Sequence, residues 1–133
     1  MRSLLFYILL LFGVFLIFYL SWISDPDLRK IGFLPGWLTN WTDAQENATI
    51  RTGVPFLFLG VILGMKGIYI NANLKWWSIA LALLMLIVLI AEFGQSLLPF
   101  RNNDVKDILW GVAGSFAGLL PSYLYLRLKK HYK

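Results

Sequence analysis

Four apolar runs occupy residues 4–23, 52–70, 76–100 and 108–126, and they leave this chain few ways to fold. Each is long enough to cross about 30 Å of hydrocarbon at about 1.5 Å of helical rise per residue. Backbone N–H and C=O groups find no water inside a bilayer, so a chain of such runs satisfies them within helices. The composition agrees, with 59% of the 133 residues hydrophobic, 14% charged and a mean hydropathy of +0.68. Soluble domains are about 45–50% apolar. The expected fold is an all-α integral membrane protein, an antiparallel bundle of four transmembrane helices in one domain over residues 1–133. Little chain remains for a separate soluble domain. The absence of cysteine excludes a disulfide framework, a thiolate nucleophile and a zinc–thiolate site.

The third run measures roughly 37 Å as a helix and must tilt or extend past the hydrocarbon. The first run, preceded by Arg2, has a cleaved signal peptide as its alternative reading. Its apolar length exceeds the usual signal core, and Ser21-Trp22-Ile23-Ser24 makes a poor cleavage site, so an uncleaved anchor is expected.

Lys and Arg in alternate connections set the expected orientation. The N-terminus, the second connection with its flank and the C-terminal tail hold Arg2, Lys66, Lys75, Arg127, Lys129, Lys130 and Lys133, with no acidic residue. The opposite side holds Arg29, Lys30, Arg51, Arg101 and Lys106, diluted by Asp25, Asp27, Asp43, Glu46, Asp104 and Asp107. Both termini are therefore expected in the cytoplasm. The basic tail reads as an anchor against anionic headgroups rather than a nucleic-acid site. Lys66, near the end of its span, reads as a snorkelling side chain. The long outer connection carries Trp37 and Trp41 among prolines and glycines and is expected to lie on the membrane. Within it, Thr42-Asp43-Ala44-Gln45 has the form of a capping box, which predicts that the second helix begins well before Thr52.

Helices in lipid associate through close backbone approach, and small residues mark where that happens. Gly111, Gly114, Ser115, Gly118 and Ser122 form one stripe on the last helix, and Gly53, Gly60, Gly64 and Gly67 another on the second. These are expected to be bundle seams; a groove of exposed backbone for a lipid tail is their functional alternative.

The polar residues that need explaining sit near the third connection. A carboxylate inside a bilayer costs several kcal/mol, by about 3 kcal/mol or more, unless it is paired, hydrated or protonated. Glu92, Gln95, Ser96 and Pro99 share one helix face by their three-or-four spacing, with Glu92 roughly 12 Å from the outer end. Arg101 is expected to fold back toward Glu92, while Asp104 and Asp107 occupy the positive end of the last helix. Together they predict an outward-facing pocket. In it Arg101 and Arg51 would hold phosphate or carboxylate, and acidic residues including Asp43 would hold amines or a bridging divalent ion. The plain structural alternative is a set of hydrogen-bonding pins, with Asp107 as helix cap. No resident metal or other cofactor is expected, and His131 is the only histidine.

The order Glu92-x-x-Gln95, Pro99-x-Arg101-x-x-Asp104-x-x-Asp107, Gly114-x-x-x-Gly118 resembles the core signature of the VanZ-like family of small bacterial membrane proteins, whose founder is associated with teicoplanin resistance. The resemblance covers the last two helices. It puts the family's glutamate on Glu92, its glutamine on Gln95, its arginine on Arg101 and its aspartate on Asp107. Gly111 stands where the family usually has an asparagine, and Asp43-Ala44-Gln45-Glu46-Asn47 only echoes an aspartate–lysine pair followed by histidine. The resemblance implies a multi-pass protein of the cytoplasmic (inner) membrane. It would act at the outer face on cell-envelope components or on glycopeptide and lipoglycopeptide antibiotics, by binding or shielding. Membrane lipids, a lipid-linked envelope precursor or a lipoglycopeptide are the implied partners, with self-association open. One alternative is an intramembrane enzyme for a lipid-linked substrate, with Glu92 as its general acid or base and Arg101 as phosphate clamp. The other is a non-catalytic subunit of an envelope assembly.

Overall fold

The computed structural model describes residues 3–23, 27–30, 32, 34–44, 47, 50–98 and 104–131. Its helices are α1 (Ser3–Trp22), α2 (Gly36–Asp43), α3 (Ile50–Tyr69), α4 (Leu74–Ser96) and α5 (Val105–His131), with a short 3-10 turn at Leu28–Lys30. Four of them, α1, α3, α4 and α5, are long and apolar enough to cross a membrane.

Local chemistry sets most helix ends. Between α3 and α4 the chain reverses in four residues. Asn71 takes the left-handed conformation (φ 50°), Ala72 N–H bonds back to the Gly67 carbonyl at 2.9 Å and Asn71 N–H to that of Ile68 at 3.1 Å. This Schellman pattern satisfies the last carbonyls of α3. The Asn73 side chain then accepts from Trp76 N–H at 3.0 Å and opens α4. The third apolar run stops being helical at Ser96, short of residue 100. Pro99 has no N–H for the Gln95 carbonyl, and Leu98 N–H takes that carbonyl instead at 3.0 Å. At the other extreme α5 continues to His131, beyond the expected end at Leu126, and its 27 residues span about 40 Å.

The expected capping box is overturned. Thr42 lies in the last turn of α2, where its hydroxyl donates to the Thr39 carbonyl at 3.0 Å, and Ala44 leaves the helix in an extended conformation. Thr42 thus ends one helix rather than starting the next, and α3 begins at Ile50; Gln45 lies outside the described residues. A threonine hydroxyl has two local partners available, an N–H ahead of it or a carbonyl behind it, and here the carbonyl behind wins.

Consecutive spans run antiparallel, yet the most extensive contact joins α3 to α5, which run parallel. The glycine stripes form that contact. A Cβ at Gly60 would lie 2.7 Å from the Ser115 carbonyl oxygen and 3.0 Å from Gly118 Cα, and one at Gly64 would lie 2.8 Å from Ser122 Cβ. Gly114 rests on the Gly53 carbonyl and Gly118 on that of Leu57, each too close for any side chain. Gly111 instead faces Val88, which brings α4 onto the same core. Phe56, Leu59, Leu84, Val88 and Ser115 are fully buried where the three helices meet.

Helix α1 is attached more sparsely. Its Trp22 indole donates to the Ala91 carbonyl at 3.2 Å and packs against Gly94, too close for any side chain there, and Lys66 of α3 sits 5.1 Å over the Phe6 ring. Most of its surface faces outward, including Leu4, Leu11, Phe12 and Phe15. The bundle has two chemically distinct ends. Asp27, Asp43, Glu92, Asp104 and Asp107 gather at the end where α3 and α5 begin, called here the acidic end. Lys66, Lys75, Arg127, Lys129 and Lys130 mark the basic end.

Candidate functional site: a groove with a polar end

Between α1 and α3 the helices part and leave an open groove of about 490 Å³. That is within the range of about 300–1,000 Å³ typical of small-molecule sites. Leu9, Phe12 and Leu16 of α1 form one wall and Val54, Phe58 and Ile62 of α3 the other. At the acidic end Leu34, Leu38 and Trp41 close over it from the connection that contains α2. The groove follows α3 from Arg51 to Ile62, a rise of about 16 Å, which matches the roughly 15 Å of one leaflet's hydrocarbon.

Its acidic end is polar, and four different helices supply that polarity: Thr42 from α2, Arg51 from α3, Gln95 from α4 and Asp107 from α5. Gln95 is buried against Glu92, donating from Nε2 to Glu92 Oε1 at 3.4 Å. Glu92 itself, 4% exposed, lies behind Gln95 rather than in the groove wall. Asp107 stands half-buried in the first turn of α5. The helix is capped by Asp104 instead, whose Oδ1 accepts from Lys106 N–H at 2.9 Å. The Asp107 side chain is among those that line the groove. Arg101 lies outside the described residues.

Arg51 is oriented by Asp43. The guanidinium Nη1 donates to the Thr42 carbonyl at 3.0 Å and lies 3.6 Å from Asp43 Oδ1. The Asp43 side chain is only 5% exposed and collects further donors. Leu28 N–H reaches Oδ1 at 3.1 Å, Arg29 N–H reaches Oδ2 at 2.9 Å, and Arg29 Nε lies 3.5 Å from Oδ2. Asp43 therefore ties the 3-10 turn and α2 to the start of α3 and does not line the groove. Side-chain hydrogen bonding shared with Asp43, reinforced by Arg29, holds the Asp27 carboxyl below its ordinary value of 3.8.

The structure thus brings Arg51, Gln95 and Asp107 to one place, with Glu92 behind Gln95 and Asp43 behind Arg51. Gly60, Gly64, Gly111, Gly114 and Gly118 pack helices together elsewhere. Sequence reasoning missed the α1 wall and the α2 cover, because Leu9, Phe12, Leu16 and Leu38 look like any lipid-facing residues. The one available signal was Gly13, isolated among large side chains, where a Cβ would lie 2.6 Å from Leu59 Cδ2. That close approach sets α1 against α3 beside the groove.

Chemically the site offers an apolar channel open at the surface of the bundle and a head region with a cation, a carboxylate and an amide. This suits an amphiphile. No family model matches the chain, and comparison with curated proteins and with solved structures found no match.

Proposed function

We propose that this protein binds an amphiphile of the bacterial cell envelope, or a lipid-bearing antibiotic directed at it, at the outer face of the cytoplasmic membrane. The observation that carries this reading is the groove: one leaflet deep, apolar along its length and ending on Arg51, Gln95 and Asp107. An alkyl chain lies along α1 and α3, and its polar head meets the arginine and the carboxylate. Moving a chain from lipid into the groove changes its surroundings little, since both are apolar. Selection therefore rests on groove shape and on the polar end. The resemblance to the VanZ-like family supports the choice of ligand, because Glu92, Gln95 and Asp107 of its signature lie in or behind that end. The excess of Lys and Arg at the basic end supports an orientation with both termini cytoplasmic and the polar end outward.

The test compares teicoplanin, which carries an alkyl chain, with vancomycin, which does not, binding to the purified protein in lipid nanodiscs. Saturable binding of teicoplanin alone is expected, abolished by Leu16→Trp, which fills the groove from its α1 wall. Equal binding of both drugs, or full binding by Leu16→Trp, would refute it. An alkaline phosphatase fused to the C-terminus should be inactive if that end is cytoplasmic.

A further inference from the structure

We propose a second lipid site at the opposite end of the bundle, a pocket that takes the phosphate of an anionic phospholipid. It does not depend on the groove or on the ligand assigned to it. A cavity of about 220 Å³ lies between the start of α4 and the end of α5, lined by Asn73, Trp77, Tyr123, Leu126, Arg127 and Lys130 among others. Its floor is aromatic, with Trp77 and Tyr123 packed edge to face at 5.6 Å. Its rim is cationic. Arg127 Nε donates to the Tyr123 hydroxyl at 2.9 Å with the guanidinium 5.4 Å over the same ring, which holds the charge in place beside the cavity. Lys130 Nζ lies 3.4 Å from the carbonyls of Asn71 and Ala72, so it too is positioned, by neutral groups that leave its charge intact.

Three observations select the occupant. Neither Arg127 nor Lys130 has an acidic partner among the described residues, and none of the seven acidic residues lies in the segments that build this end. The pocket therefore complements an anion. Its depth is that of headgroups: Arg127 follows Val105 by 22 residues, about 33 Å along α5, just past the roughly 30 Å of hydrocarbon. The pocket is also amphipathic, with indole and phenol rings of the kind that settle at the membrane interface, and Leu126 is buried below the cations. A phosphate bearing acyl chains satisfies all three, whereas a free phosphate satisfies only the first.

Native mass spectrometry of the full chain, released from nonionic detergent with defined lipids added at moderate salt, tests this. One phosphatidylglycerol should be retained in preference to phosphatidylcholine. The pair Arg127→Gln with Lys130→Gln should weaken that retention about thirtyfold, at roughly one tenfold step per 1.4 kcal/mol and about 1 kcal/mol per cation. Lys75→Gln with Lys129→Gln removes the same charge outside the pocket and should cost less than about threefold. Arg127→Lys should recover most of the retention, which separates loss of the site from loss of fold. Equal weakening by the two pairs would overturn the proposal in favour of diffuse attraction. Equal retention of both lipids would overturn it outright. Displacement of phosphatidylglycerol by millimolar inorganic phosphate would overturn the lipid assignment and leave a free-anion site.

Discussion

Gly114 sits where α5 crosses α3, and its substitution tests whether the seam between these parallel helices holds the fold. A Cβ there would overlap the Gly53 carbonyl oxygen and lie 2.9 Å from the carbonyl carbon behind it. Two effects oppose each other in Gly114→Ala. Alanine is better than glycine in a helix interior by about 1 kcal/mol, while overpacking a tight contact costs about 1–3 kcal/mol. The cost falls toward the upper end because the struck atoms are backbone, which no rotamer change can move aside. Separating the helices also loosens Gly60 against Gly118 and Gly64 against Ser122, which lie further along the same crossing. A net loss of about 1–2 kcal/mol is expected. Gly111→Ala meets side-chain atoms rather than backbone, the Val88 methyl groups at 2.9 and 3.0 Å and Phe56 Cδ2 at 3.4 Å, and should change stability by less than about 0.5 kcal/mol, since the helix-propensity gain of about 1 kcal/mol offsets the shift those side chains must make. Gly36→Ala, with no atom within 4 Å, should be neutral. Titration with a denaturing detergent in mixed micelles, followed by tryptophan fluorescence, measures all three. A Gly114→Ala protein as stable as the parent, or a larger cost for Gly111→Ala, would show that the α3–α5 seam does not dominate.

Asp43→Ala removes the acceptor for Leu28 N–H, Arg29 N–H and Arg51, and should lower stability by about 2–3 kcal/mol; an unchanged thermal midpoint in detergent would argue against Asp43 as the tie between α2 and α3. Asp27 is held below 3.8, so its contribution is present above that value and is lost as pH falls through the lower folded-state value. Stability should hence be insensitive to this group from pH 5 to 8 and fall in strong acid, and Asp27→Asn should flatten the acid limb. Glu92→Gln keeps a partner for Gln95 and should cost less than Glu92→Leu, for which about 3 kcal/mol is expected by analogy with a broken buried polar pair. Equal unfolding midpoints for those two variants would show that the Glu92–Gln95 contact contributes nothing to the fold.

The sequence by itself determined the number of spans, the helical class and the division into an acidic and a basic end, because apolar length and charge are local properties. It also carried the glycine stripes, since a period of 3.6 places Gly114 and Gly118, or Gly60 and Gly64, on one face. Their partner was not legible. Nothing in the stripe on α3 distinguishes a facing α4 from a facing α5, and the pairing of two non-consecutive helices follows only when all the faces compete for contact.

The polar residues divide in the same way. Gln95 was visible as a polar residue inside an apolar run and Asp107 as an anion at the positive end of the last helix, but it is Asp104 that accepts from the Lys106 N–H there, and Asp43 supports Arg51 instead of lining the site. A carboxylate has the same residue type in each role, and only the position of the N–H groups around it decides which one it plays. The groove was decided by tertiary structure alone. Lipid and protein interior are both apolar, so Leu9, Phe12 and Phe58 satisfy the bilayer equally whether they face an acyl chain or line a channel, and only the gap between α1 and α3 makes them walls.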